Sequence, residues 1–275
     1  MRKFLKRVGI GCGGLLALIG VALAVAYLVA DVRLKKVYEI PPAALSVPSG
    51  AAAVERGQRL VELARCADCH GFNLDGQVMD DSPVVGRFVA TNLTSGKGGI
   101  GGQFSDADWE RALRHGVRPD GRSLLITPAQ YYYYLSDDDA GDMIAYLKSL
   151  RPQDRELPTS TLGPLGRLIL FLRVTDWLPA EKIDHVAPRP PAPAPGVTAE
   201  YGEYIARIGN CQVCHGLERS DNLAGWTEAE FVHAMNTGLG PTGLLDRGSM
   251  PIGILTEDEI RALWLYLQTL PAAAF

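Results

Sequence analysis

The chain opens on its strongest pattern. Four basic residues, Arg2, Lys3, Lys6 and Arg7, precede an uncharged and largely apolar stretch from Val8 to Ala30. As a helix these 23 residues extend about 35 Å at ~1.5 Å per residue, enough to cross a hydrocarbon core of ~30 Å. Apolar residues continue past Ala24-Val25-Ala26, a weak match to a signal-cleavage site, which favours an uncleaved transmembrane anchor over a removable leader. Flanking charge leaves the orientation open, because the basic residues before the span face Arg33, Lys35 and Lys36 after it.

Beyond the anchor the period becomes helical, and the pattern occurs twice. Gly57, Leu60, Val61 and Ala64 form a one-sided stripe, matched by Tyr201, Tyr204, Ile205 and Ile208, so each of two units is expected to begin with a helix. Ser105-Asp106-Ala107-Asp108 and Thr227-Glu228-Ala229-Glu230 introduce a second pair of segments; Ser136-Asp137-Asp138-Asp139 and Thr256-Glu257-Asp258-Glu259 introduce a third. All four place a hydroxyl three residues before a carboxylate, the signature of a capped helix start with an acidic first turn. The acidic runs are therefore read as helix starts rather than docking patches. The last helix of each unit carries its own stripe, Ile144, Leu147 and Leu150 in the first and Ile260, Leu263, Trp264, Leu267 and Leu270 in the second.

Residues 153–196 break this pattern. The short run Leu168-Ile169-Leu170-Phe171-Leu172 is too short to span a bilayer and is expected to cover one of the units, with the membrane or a partner as the other surfaces it suits. Pro188 to Pro195, with five prolines in eight residues, predicts an extended, semi-rigid spacer. His185, near its start, reads as a surface histidine.

Composition narrows the class. With 47 % apolar and 21 % charged residues over 275 positions the chain can bury real cores, which excludes global disorder. Its 27 basic and 31 acidic residues give no broad attraction for phosphate backbones, so no nucleic-acid partner is expected. Four of the five cysteines fall in two identical short spacings, unlike a disulfide framework.

Those spacings are Cys66-Ala67-Asp68-Cys69-His70 and Cys211-Gln212-Val213-Cys214-His215. Both match C-x-x-C-H, the attachment signature of c-type haem: two thiols on one helical turn bind the porphyrin as thioethers and the adjacent histidine becomes the proximal iron ligand. A zinc site would need further ligands at short spacing, and His115, His185 and His233 are isolated. A thioredoxin-like pair would need a βαβ pattern that is absent. Two covalently bound haem c groups are thus expected, on Cys66 and Cys69 with His70, and on Cys211 and Cys214 with His215. Because the stripes run up to the motifs, each motif is expected to end its unit's first helix.

A first helix with glycine on its face, C-x-x-C-H, and a last helix bearing Tyr146 or Tyr266 ten residues after its cap resemble class I cytochrome c domains, over residues 50–152 and 197–275. With its anchor, the chain looks like the membrane-bound multihaem cytochrome c subunits that accept electrons from periplasmic alcohol, aldehyde or sugar dehydrogenases, although those often carry three haems. The resemblance implies a distal methionine before the last helix. Met250, in Gly248-Ser249-Met250-Pro251 and six residues before Thr256, fits. The corresponding place in the first unit reads Thr127-Pro128. Either another side chain substitutes there or that iron is five-coordinate; Met79, Met143, His115 and Tyr131 to Tyr134 are the available residues, each expected to be structural, with the tyrosines covering the haem edge.

The expected architecture is mainly α: an N-terminal membrane anchor and juxtamembrane segment (1–49), cytochrome c domain 1 (50–152), an apolar and Pro-rich linker (153–196) and cytochrome c domain 2 (197–275). The expected function is single-electron transfer in a periplasmic respiratory or dehydrogenase-linked chain, not catalysis. Its partners would be a redox donor and acceptor, a dehydrogenase subunit or terminal oxidase among them. Since haem c is attached after export, the expected location is the bacterial inner membrane, with one span and both haem domains on the periplasmic side. The rival reading is a peroxidase-like haem enzyme or gas-binding protein with an open first iron.

Overall fold

The computed structural model describes residues 2–41, 45–215, 223, 225–246, 248 and 250–271. The side chains of Arg2, Lys3, Lys6 and Arg7, and residue Ser249 of the methionine loop, lie outside the described residues.

One long helix, α1 (Arg2–Lys35), contains the apolar stretch, and its segment Ile10–Lys35 is long and apolar enough to cross a membrane. The first unit follows as α2 (Ala51–Leu63), α3 (Cys66–His70), β1 (Gln77–Ser82), β2 (Gly86–Ala90), α4 (Asp106–Glu110), α5 (Ala129–Tyr132) and α6 (Asp137–Ser149), with a π-helical turn, Arg111–His115, extending α4. Next come β3 (Thr161–Leu162), α7 (Pro164–Phe171) and a 3₁₀ turn, Pro179–Lys182. The second unit holds α8 (Ala199–Ile208), α9 (Cys211–His215), α10 (Glu228–Thr237), β4 (Leu239–Gly240), β5 (Gly243–Leu244) and α11 (Glu257–Thr269). The chain is mainly helical, with an N-terminal apolar helix.

All four helix starts lie where the hydroxyl-to-carboxylate spacing places them. Ser105, Thr227 and Thr256 each close a capping box with the carboxylate three residues on. Ser136 accepts from the Asp139 amide, but its own N–H donates to the Tyr204 hydroxyl at 3.0 Å, and that hydroxyl donates to Asp139. A tyrosine of the second unit thus completes a cap in the first.

In each unit the first and last helices cross at a glycine. A Cβ on Gly57 would stand 1.9 Å from the Asp142 carbonyl oxygen, and one on Gly202 would stand 1.9 Å from that of Ala262. Neither contact leaves room for a methyl group, so the α2–α6 and α8–α11 pairs approach backbone to backbone.

A three-stranded antiparallel sheet, in the order β1, β2, β3, adds an element that the helical periodicity did not predict. Its third strand comes from the linker, which is fastened to the first unit elsewhere too. Phe88 packs edge-on against Trp177 with ring centres 5.0 Å apart, and Arg189 reaches the Leu135 carbonyl at 3.0 Å and Asp137 at 2.6 Å. The linker therefore follows the surface of the first unit as far as Arg189. The run at 168–172 packs against α1 and the sheet, as a cover: Ala30, Leu170 and Leu178 form a small buried cluster there.

The units share one core. Leu63, Met143, Ile144 and Leu147 belong to the same buried cluster as Ile205, Ile208, Leu263 and Tyr266. Arg59 pairs with Glu259 across the junction at 2.7 Å.

Candidate haem-attachment sites

Neither C-x-x-C-H motif ends the helix before it, contrary to the expectation from the stripes. In the first unit Arg65 takes a left-handed conformation (φ 57°), and in the second Asn210 does so (φ 55°); each stops the preceding helix and starts a separate one-turn helix, α3 or α9. Positive φ is unfavourable for a non-glycine residue, less so for asparagine. Side chains hold both breaks. Arg65 makes a bidentate pair with Asp68 at 2.7 and 2.9 Å and also donates to the Gly248 carbonyl. Asn210 donates to the Ala64 carbonyl at 3.2 Å and to the Tyr132 hydroxyl at 2.7 Å.

Within each turn the cysteines stand three residues apart and so share a face. Burial pushes the Cys66 thiol up to about 12 and the Cys211 thiol up to about 11, and raises Cys69 as well. The thiols of Cys66, Cys69 and Cys211 are therefore neutral. No cluster of three or more His, Cys, Asp or Glu suited to a metal ion occurs among the described residues, which leaves the zinc reading without a ligand set.

His70 Nδ1 lies 2.7 Å from the Thr91 carbonyl oxygen. A carbonyl only accepts, so Nδ1 carries the hydrogen and Nε2 keeps its lone pair, the tautomer of a metal-binding imidazole. Burial lowers the basicity of His70, which keeps the ring neutral. His215 and Cys214 are exposed at the margin of the second turn.

Both turns open onto one continuous groove of about 2040 Å³, bordered by Cys66, Cys69 and His70 of the first unit and by Cys211, Cys214, His215 and Met250 of the second. That is about twice the upper end of an ordinary small-ligand pocket, ~1,000 Å³. Its apolar walls include Leu93, Phe104, Leu147, Phe231 and Leu263. Two buried indole N–H groups on its lining, those of Trp109 and Trp226, have no hydrogen-bond partner among the described residues. Arg118, Arg122 and Arg167 border it too. Paired thiols, a histidine in the correct tautomer, apolar walls and orphaned donors fit a flat apolar macrocycle.

The candidates for the remaining coordination position separate clearly. Met250 borders the groove, its loop held by the Met250 amide donating to the Asp246 carbonyl at 2.9 Å. Thr127 and Pro128 border it in the first unit. Met79, at the irregular register of β1, also borders it. Met143 is 1 % exposed inside the core. His115 lies away from the lining and bonds His185 at 2.9 Å, so His185 is an internal partner rather than a free surface histidine. Of the four consecutive tyrosines, Tyr131 and Tyr132 reach the groove. Tyr132 is buried, its ionisation is pushed well upward by desolvation, and its hydroxyl donates to the Ala64 carbonyl at 2.9 Å. It is a neutral brace between the units. Tyr133 bonds the linker carbonyls of Asp184 and Ala187.

Residues 54–151 match the model of the cytochrome c family. The first unit is a cytochrome c domain. Such a domain carries covalently bound haem c, which accords with the α3 turn and its His70 tautomer. Among curated proteins, the chain is 26 % identical over 261 residues to a nicotinate dehydrogenase subunit of Pseudomonas putida, covering 80 % of this chain and 21 % of that protein. It is 33 % identical over 130 residues to the fructose dehydrogenase cytochrome subunit of Gluconobacter japonicus, covering 45 % of this chain and 26 % of that one. A diheme cytochrome c-type protein of Cereibacter sphaeroides is 26 % identical over 261 residues, covering 79 % of this chain and 86 % of the relative. The chain thus spans about a quarter or less of the two dehydrogenase subunits and most of the diheme cytochrome.

Proposed function

We propose that the chain is a membrane-anchored dihaem cytochrome c that carries single electrons on the periplasmic face of the bacterial inner membrane, as the electron-transfer partner or subunit of a dehydrogenase. The observation that carries this reading is the pair of one-turn C-x-x-C-H helices opening onto one groove. Cys66 and Cys69 would hold one haem c and Cys211 and Cys214 another; His70 and His215 would be the proximal ligands and Met250 the distal ligand of the second. Haem c bound there supplies reversible one-electron iron chemistry.

This chain's residues set the rest. Thr91 fixes the orientation of His70, the shared core keeps the two sites at a constant separation, and the apolar walls exclude water. A thioether favours the reduced iron, whereas Thr127 offers no comparable ligand, so the second site is the higher-potential one and electrons run from the first unit to the second. The dehydrogenase partner is suggested by the names of two relatives, and the dihaem count by the third. The anchor crosses with its N-terminus in the cytoplasm. Glu110 and His115, the buried acid–base neighbours of the first unit, lie off the groove lining, so they offer the peroxidase-like alternative no distal acid or base.

Intact mass of protein matured in a competent host tests the assignment: two haem additions are expected, and Cys211→Ser with Cys214→Ser should remove one. An unaltered polypeptide mass would overturn it.

A further inference from the structure

We propose that α7 and the turn after it form a second, shallow membrane contact, in which Leu165, Leu172 and Val174 enter the lipid interface beside the anchor. This rests on the reading of α1 as a membrane span.

The argument starts from depth. A hydrocarbon core of ~30 Å takes up ~20 helical residues at ~1.5 Å each, so a span that begins at Val8 reaches the outer boundary near residue 28. The part of α1 against which α7 packs lies there: Ala26 and Ala30 are buried in the contact, Arg167 sits over the Tyr27 ring at 4.2 Å, and Arg167 also pairs with Asp31 at 3.3 Å. One turn further out, Arg33 makes a bidentate pair with Glu181 at 2.6 and 2.9 Å and donates to the Leu170 carbonyl. These contacts hold α7 at the level of the boundary.

One face of α7 is spent on protein, with Leu170 buried in the cluster with Ala30 and Leu178, and Gly166 against the Val85 carbonyl. The other is apolar and bare. Leu165 and Leu172, seven residues apart and hence on one side of a helical path, are 41 % and 57 % exposed, and Val174 is 68 % exposed. Apolar side chains of this size beside a spanning helix meet lipid rather than bulk water. The rim of this segment is polar and charge-balanced: exposed Arg173 pairs with Glu181 at 3.7 Å and Lys182 with Asp176 at 2.7 Å. Two contacts constrain the tilt of the first unit, which one helix alone would leave free.

The test uses the full-length holoprotein in phospholipid nanodiscs whose lipids carry a photoactivatable diazirine in the acyl chain, with adducts mapped by peptide mass spectrometry. Adducts are expected within residues 10–30 and on the peptide holding Leu172 and Val174, and the double variant Leu172→Glu, Val174→Glu should lower the second set severalfold and leave the first unchanged. Labelling of α1 alone would overturn the α7 contact and leave the anchor standing. Labelling of neither would overturn both, and undiminished labelling in the double variant would assign the adducts to something other than this patch.

Discussion

At the scale of single residues, the chemistry resides in a few side chains whose environments differ sharply. Met250 is the only axial difference between the units proposed here, so Met250→Ala should lower one of two reduction potentials by on the order of 0.1 V and leave the other in place. A spectroelectrochemical titration reads this directly. If the lower potential moves, the order of the sites is reversed. His115 offers a separate test away from the haem ligands. Burial first, then the neighbouring His185, Arg189 and Arg114, bring it down to about 4 from an unfolded value near 6.5. The unfolded chain therefore binds the extra proton first as pH falls, so stability is full above about 6.5 and declines towards pH 4, by up to ~3 kcal/mol. Denaturation of the holoprotein at pH 7 and pH 5 should show this loss, and His115→Gln, which keeps a donor and removes the titration, should flatten it. The cysteines and histidines of both motifs were readable from spacing alone. The Thr91 carbonyl was not, since any residue supplies one. Asn210 did carry a signal, being a residue that tolerates left-handed backbone directly before the motif, whereas Arg65 gave none.

At the scale of elements, local chemistry is what the sequence disclosed. A cap is decided by residues three positions apart, and all four predicted starts are present. Thr256→Ala removes the hydroxyl that accepts from the Glu259 amide and should cost about 1 kcal/mol, measurable as a lowered unfolding midpoint. The helix crossings are more demanding. With the added methyl group 1.9 Å from a carbonyl oxygen, Gly57→Ala or Gly202→Ala must force its helix pair apart, at a cost of about 1–3 kcal/mol or more and with a reduced haem-to-protein ratio after maturation. The sheet was hidden for a physical reason. β1 reads Gln77-Val78-Met79-Asp80-Asp81-Ser82, without clean alternation and with an irregular register, and β3 is only two residues long. Such strands exist through their partners, not through their own periodicity.

At the scale of the whole molecule, the prolines suggested units held apart by a spacer, yet they pack core to core. This was not legible because the contacts depend on pairs from 68 to 200 residues apart. Glu259 is nearly buried and Arg59 is its ion-pair partner, so Arg59→Ala leaves a buried carboxylate, still capped by the Thr256 amide, without its cation and should destabilise by about 1–3 kcal/mol. If the units form one cooperative body, calorimetry should give a single transition in the parent chain, and Arg59→Ala combined with Tyr204→Phe should broaden or split it. The brace at Tyr132 carries a further implication for biogenesis. Its hydroxyl and the Ala64 carbonyl meet Asn210, and Leu63 packs towards Gly209, so part of the wall around the earlier-made site is supplied by chain that leaves the ribosome well over a hundred residues later. During vectorial synthesis the N-terminal half must wait, incomplete, for its sibling, and a protein truncated after the prolines would be a half-built vessel rather than a smaller cytochrome.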